Sequence, residues 1–406
     1  MKKHYETHVE DTDKLISVAG PVLDYKSWYE QYRKLMEEQA QRKYGLYTPT
    51  SEGDDDDFPS ISGMIARYSA SGLTNEQMAE NPVWKDLTGN GHDLQMKNFA
   101  WSGMSGVGGY AVDIDEWGTN STAAYYERNS IKITATFKEN ASLGLLYHNI
   151  KLRQSCVLKV TGIPKGCDAF LDDRLGNRFY MSEDGVYEII PSNFLAEALY
   201  LSIEKYPERW YRSKLTIEQL PLYPGALVFD GVGDYGVCDN FPILTKEKGY
   251  TVVALRQWIS KGEGLCGLVS NVRSWFEDGT FVLEYFYTKN LHSISFGAVK
   301  SEKDLPHILT YQTSKSYNGV SIKPGSFKGT DVLHVGKLAP INVGNYANAA
   351  IWELVFLDHD ATEEELTKIK DYFVKTYPWL FPYDGKNLSK DDCIKAYNYL
   401  QTLKAK

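Results

Sequence analysis

The stretch VWKDLTGNGHDLQMKNFAW, residues 83–101, places two aspartates, a histidine and a Gly-Asn-Gly run between apolar residues. It can be read as a metal loop, a catalytic loop or a turn. A calcium loop would use the hard oxygens of Asp86, Asn90 and Asp93. The stretch lacks the D-x-[DN]-x-[DN]-G spacing and distal glutamate of an EF-hand. His92 has no second His or Cys at ligand spacing, so it forms no zinc site. A turn between strands fits better. Asn90-Gly91 is a strong hairpin signal, and Asp86 can bond nearby backbone N–H groups. Calcium on Asp86, Asn90 and Asp93 remains the secondary expectation. FDGVGDYGV, residues 229–237, has the same character, with Asp230 and Asp234 flanking a turn. There too a turn is expected ahead of a metal.

Outward from these turns the texture is β from residue 62 on. Short apolar or alternating runs recur, with Gly, Asn and Asp between them. KITATF extends an alternating set through Ile131, Ile133, Ala135 and Phe137. KLTIEQL directs Leu215 and Ile217 to one face. Such alternation suits antiparallel sheets with one face buried, and many short strands suit β-sandwiches.

The two ends differ. SWYEQYRKLMEEQAQRKYGL, residues 27–46, reads as a helix with Ser27 and Glu30 as a capping box and Gly45 as its stop. Trp28, Tyr32, Leu35 and Met36 form its apolar stripe, which packs on its own domain or docks on a partner. SEGDDDD, residues 51–57, follows as a solvated linker. Near the other end, Thr362 and Glu365 cap a helix carrying Leu366, Ile369 and Phe373, stopped by Pro378. A last helix begins at Ser389 and carries Ile394, Tyr397, Leu400 and Leu403.

Composition narrows the classes. The chain has 406 residues, 43% hydrophobic and 24% charged, an ordinary balance for a globular protein. A net charge of −9 argues against a nucleic-acid partner. The 29 Tyr and 9 Trp favour strands and binding surfaces. Cys156, Cys167, Cys238, Cys266 and Cys393 form no C-x-x-C pair, so neither a disulfide framework nor a zinc site is expected. The first residues have no apolar stretch of a secretory signal, and no run approaches the roughly 18 apolar residues of a membrane span. Synthesis in a cytoplasm without membrane insertion follows as the expectation.

Three groups of segments carry a resemblance. GMIARYSASG and NPVWKDLTGNGHDLQ resemble the opening of a laminin-G-like, concanavalin-A-like lectin module. GALVFDGVGDYGVCDNFPILTKEKGYTVVALRQWI, residues 225–259, resembles its next piece. KSYNGVSI, DVLHVGK and NAAIWELVFLDHDATEEELTKIKDYF resemble its closing strands and the helix that follows. The resemblance implies a mainly β fold in which residues 61–118 and 223–380 form one discontinuous sandwich. Residues 119–222 would be an inserted smaller β-sandwich, since the first piece alone is too short for its own core. Residues 1–60 would be an attachment segment and 381–406 a C-terminal helix.

The composite layout resembles lectin-like proteins of tailed phages that infect gut Bacteroidales, including crAss-like phages. This implies a virion location and a non-enzymatic role as a fibre, appendage or decoration subunit. Other capsid or tail proteins, a host surface polysaccharide and further copies of the chain, as in a trimer, would be its partners. The alternatives are a polysaccharide-degrading glycoside hydrolase and a host-side cytoplasmic lectin. No cofactor is expected beyond the calcium considered above.

The remaining motifs divide between sugar binding and hydrolysis. In AVDIDEW, Asp113 and Asp115 are an even number of residues apart, so one strand would place both carboxylates on one face. The pattern is D-x-D-E, unlike the E-x-D-x-E or E-x-D-x-x-E that sandwich hydrolases resemble, and an exposed strand end is the preferred reading. SWFEDGTFVLEYFY offers Trp275, Tyr285 and Tyr287 as rings for stacking on sugars, with core filling as the plain alternative. ERWYRS offers Trp210 and Tyr211 on the insert. No G-x-S-x-G, phosphate loop or dinucleotide fingerprint is present.

Overall fold

The computed structural model describes residues 57–111, 124–129, 131–139, 144–145, 150–151, 156–173, 175, 177–189, 198–204, 207–260, 266–273, 280–287, 290–294, 308–322, 329–338, 346–377 and 380. The expected helices at 27–46 and 388–406 lie outside these residues. By contacts the chain divides into two units, Ser60–Leu366 and a second made of Met1–Pro59 with Thr367–Lys406.

The chain is mainly β, built from antiparallel sheets. The organising strand is Asn348–Leu357, whose ten residues are buried from Ala349 onward. Near-continuous apolar sequence is what a central strand covered on both faces needs. It pairs with Thr251–Trp258 along one side. On the other it pairs with Met64–Ser69 and with Leu227–Asp230. A facing sheet holds Val83–Trp84, Leu94–Lys97, Tyr235–Cys238, Leu333–Val335, Cys266–Ser270, Val282–Tyr287 and Asn290–Ile294. Each sheet therefore takes strands from both sides of the 108–223 interval. Trp84, Leu94, Phe229, Phe281, Val335 and Phe356 meet in one core.

Strands between Ala124 and Leu220 build two further sheets, one around Cys156–Thr161 and Lys214–Leu220, the other around Asp168–Asp172 and Ala198–Glu204. Ile133, Phe137, Leu158, Leu171, Trp210 and Ile217 belong to their separate core. The burial pattern of Lys132–Phe137 alternates as its sequence does, with Ile133, Ala135 and Phe137 inside. The chain enters and leaves this second sandwich side by side: Leu222 N donates to Gly109 O at 2.9 Å and Tyr223 N to Gly108 O at 2.8 Å. Adjacent ends let a domain be inserted without disturbing its host.

Among the described residues, two ion pairs are buried in the larger sandwich. Arg67 Nε donates to Glu353 Oε2 at 3.0 Å on neighbouring strands. Arg256 and Glu284 join the two sheets, with Trp258 Nε1 and Tyr317 Oη also donating to Glu284. Glu284 has φ +67° and accompanies a register shift between Val282 and Tyr285, which turns its side chain toward the facing sheet.

The helix Glu363–Thr376 starts with the expected box: Thr362 Oγ1 accepts from Glu365 N, and Glu365 Oε2 accepts from Thr362 N. Ile369 and Phe373 are buried. Within the second unit, Asp57 pairs with Lys375 at 2.6 Å and Phe58 meets Tyr372 edge-on at 4.8 Å. Among the described residues no helix is long and apolar enough to cross a membrane.

Candidate functional site

The 83–101 stretch forms the antiparallel pair Val83–Trp84 and Leu94–Lys97, joined by a nine-residue loop rather than a two-residue turn. Gly89 at φ +78° and Gly91 at φ +83° supply the left-handed positions. Asp86 organises the loop. Its Oδ1 accepts from Arg67 N, Thr88 N and Thr88 Oγ1, and its Oδ2 from His92 N. Asp93 accepts from Asp86 N at 2.9 Å and from Lys85 Nζ at 2.6 Å. Asn90 donates to Ile65 O at 2.8 Å, tying the loop to the first strand. These carboxylate oxygens act as turn acceptors. Among the described residues no group of three or more His, Cys, Asp or Glu side chains is placed to hold a metal ion. Beside the loop lies a cleft of about 390 Å³, lined by Asn90, His92, Ile243, Thr245, Lys248 and Asp358 among others.

The second turn has a different character. Asp230 Oδ1 accepts from Val232 N at 2.7 Å and Gly233 N at 3.1 Å, an ordinary side-chain-supported turn. Asp234 is fully buried and accepts from Asp230 N at 3.1 Å through Oδ2. Burial, with the charge of Asp230 beside it, pushes the Asp234 carboxyl up to about 7. Ser105 lies near enough to offset part of that rise, yet no donor reaches Asp234 Oδ1 in hydrogen-bond geometry. Asn348 sits opposite Asp230 in the ladder. Its Nδ2 donates to Ser260 Oγ at 2.8 Å, while its buried Oδ1 also lacks a donor. Gly231, at φ +79°, allows this approach, since a Cβ there would lie 2.9 Å from Asn348 Cβ.

Beside this turn is an aromatic platform. Tyr235 and Tyr346 are partly exposed, with ring centroids 6.1 Å apart and planes at 32°. Lys337 Nζ lies 4.5 Å from the Tyr235 centroid and 5.7 Å from that of Tyr346. Lys337 and Tyr346 form an isolated antiparallel bridge. Gly336, at φ +78°, brings that segment against Phe229 and the Asp234 carbonyl, where any Cβ would collide. Partly exposed tyrosine rings carry an apolar face and a polar edge, a combination enriched at binding surfaces.

The aromatics singled out in the sequence scatter. Trp210 is fully buried against Phe137, their centroids 5.1 Å apart, so it presents no ring to a ligand. The short helix Pro207–Trp210 turns it inward, which its charged neighbours Arg209 and Arg212 disguise in sequence. Tyr211 and Tyr285 are partly buried, and Tyr287 ends the strand Val282–Tyr287. Trp275, Asp113, Asp115, Trp28, Tyr32, Leu35 and Met36 lie outside the described residues. Tyr235, Lys337, Tyr346 and Asn348 were not singled out in the sequence. Tyr235 directly after Asp234 was the available signal, whereas Lys337 and Tyr346 meet only through the fold.

No protein-family model and no curated protein matches the chain. Solved structures similar in part include Trypanosoma rangeli sialidase, at 10% identity over 38% of this chain and 28% of that one, with a TM-score of 0.28. A mutant of that sialidase displaying trans-sialidase activity matches at 9% identity over 40% and 29%, with a TM-score of 0.29. The sialidase in complex with the inhibitor DANA matches at 9% identity over 71% and 67%, with a TM-score of 0.26. The chain thus spans less than a third of the first of these proteins.

Proposed function

We propose that this chain is a non-enzymatic, lectin-like subunit of a tailed-phage particle, a fibre, appendage or surface decoration that binds host-surface glycans. The observation that carries the binding half is the Tyr235–Lys337–Tyr346 platform beside Asp230 and Asn348. Aromatic faces take the C–H side of a sugar ring, and carboxylate and amide groups take its hydroxyls. The virion half rests on the sequence resemblance to lectin-like phage proteins. Residues 1–60 would attach the subunit to other capsid or tail proteins, and several copies would turn weak sugar contacts into firm attachment through avidity.

A glycosidase is the second reading. Hydrolysis needs two carboxyl groups roughly 5–9.5 Å apart across a bound sugar. Asp113 and Asp115, the pair that reading uses, lie outside the described residues. The test has two arms. Antibody to the chain should label purified particles at one structural feature in electron micrographs, whereas bare particles would remove the virion role. Immobilised chain should capture surface polysaccharide of a Bacteroidales host, and equal capture by a Tyr235→Ala, Tyr346→Ala double variant would remove the platform.

A further inference from the structure

We propose that the cleft beside the 85–93 loop binds a short peptide by its two free termini, the carboxylate at Lys248 and the amine at Asp358. The cleft measures about 390 Å³. Ligand pockets run from roughly 300 to 1,000 Å³, so this one suits a di- or tripeptide and not a folded partner. It is remote from the Tyr235–Tyr346 platform. Asn348, opposite Asp230, begins the strand Asn348–Leu357, and Asp358 follows its far end. At roughly 3.3 Å per residue the two ends are about 30 Å apart.

Four chain segments wall the cleft, and the fold holds each in place. Asn90 Nδ2 donates to Ile65 O at 2.8 Å. His92 is clamped through its backbone: its N donates to Asp86 Oδ2 at 3.2 Å and its O accepts from Tyr68 Oη. Lys248 N donates to Thr245 Oγ1 at 3.4 Å. Gly63, at φ +72°, and Gly249, at φ +83°, bring their segments against residues 358–360. A Cβ at the first would collide with Asp358 Oδ1, and one at the second would lie 2.8 Å from Asp360 N. Walls fixed in advance leave little ordering cost for binding.

The groups that these walls leave unspent set the ligand. Asp93 is matched by Lys85 at 2.6 Å and Asp360 by Lys315 at 2.7 Å. Among the described residues Lys248 forms no ion pair. Asp358 meets His359 through Oδ1 at 3.1 Å, which leaves Oδ2 available. Lys248 and Asp358 share the cleft without pairing with each other. A simple anion there would face Asp358 and a simple cation would face Lys248, whereas a ligand with one charge of each sign satisfies both. Thr245 Oγ1 keeps its own hydrogen to donate, and Asn90 Oδ1 can accept, which matches the C=O and N–H of a peptide bond. His92 Nδ1 is buried with no partner, a cost that a bond from the ligand would remove. Pro242 and Ile243, the latter 54% exposed, offer an apolar wall for a side chain.

The test is calorimetric titration of the full chain with leucyl-leucine, with its N-acetyl form and with its C-terminal amide. The expected result is saturable binding of the free dipeptide, weakened at least tenfold by either cap. Lys248→Met should weaken binding at least tenfold and erase the difference between the free dipeptide and its amide. Asp358→Asn should do the same for the free dipeptide and its acetyl form. Both side chains are exposed, so both variants should melt with the wild type. No saturable heat from the free dipeptide, equal binding of the capped forms, or unchanged binding by the variants would overturn the proposal. Free leucine binding as tightly as the dipeptide would overturn the peptide assignment. No glycan enters the experiment and Tyr235 and Tyr346 stay intact, so its failure leaves the glycan reading standing.

Discussion

Glu284→Gln tests the physical account of the larger sandwich. Glu284 is fully buried and accepts from Arg256 Nε at 2.7 Å, from Arg256 Nη2, and from Trp258 Nε1 and Tyr317 Oη at 2.8 Å each. Replacing the carboxylate leaves the Arg256 guanidinium charged in a dry interior. Breaking a buried pair in this way costs about 3–5 kcal/mol. A double variant, Arg256→Met with Glu284→Leu, removes both charges and should recover most of that loss, since well-packed apolar replacements of buried pairs are often neutral. Urea unfolding followed by tryptophan fluorescence, with the two sandwiches resolved as separate transitions if they separate, would measure both. A Glu284→Gln loss under about 1 kcal/mol, or a double variant as unstable as the single one, would refute the reasoning. The pair also sets a pH dependence. Burial works to raise the Glu284 carboxyl, but Arg256, Trp258 and Tyr317 outweigh it and hold the group below its ordinary value. A lowered folded value gives stability that is present above the unfolded pKa and lost as pH falls through the folded one.

Other perturbations separate the elements. His359 lies between Asp358 Oδ1 at 3.1 Å and Glu365 Oε1 at 3.2 Å, and although burial opposes it, those carboxylates raise its pKa. Its stabilisation is therefore fully present below about pH 6.5, the unfolded value, and lost as pH rises through the folded one. Melting temperature should fall across that window, and His359→Ala should flatten the fall. Asp86→Ala orphans several backbone N–H groups of its loop and should cost about 1–3 kcal/mol in urea unfolding; a neutral result would contradict its role as organiser. Trp210→Ala should cost the inserted sandwich about 3–5 kcal/mol. Native-state hydrogen exchange should show the loss in Lys132–Phe137 and Lys214–Leu220, and unchanged protection there would contradict its place in that core.

Much of this fold was legible wherever one physical signal dominated. Alternation marked Lys132–Phe137 and Lys214–Leu220, and both bury the expected residues. Thr362 and Glu365 announced a helix start by their spacing, and the reciprocal bonds are present. The Asn90-Gly91 signal located a connection between strands but not its length. Asp86 bonds backbone from Arg67 to His92, and so stabilises a wider loop than local turn preferences suggest. Glu284 could not be read from sequence. A register shift and a positive φ turn it inward, so period-two reasoning gives it no interior role. The platform was hidden for a related reason. Tyr235 and Tyr346 are far apart in the chain and become neighbours only when the closing strands pair. Trp210 misled because exposed charged neighbours say little about a ring that a single short helix can rotate into the core.

The central claim is that the Tyr235–Tyr346 platform holds sugar without cleaving it. The most direct measurement is a calorimetric titration of surface polysaccharide from a Bacteroidales host into the intact chain, with reducing ends assayed in the same sample. The account predicts saturable binding, weakened at least tenfold by Tyr235→Ala with Tyr346→Ala, and no increase in reducing ends. Undiminished binding by the double variant, or reducing ends accumulating with time, would contradict it.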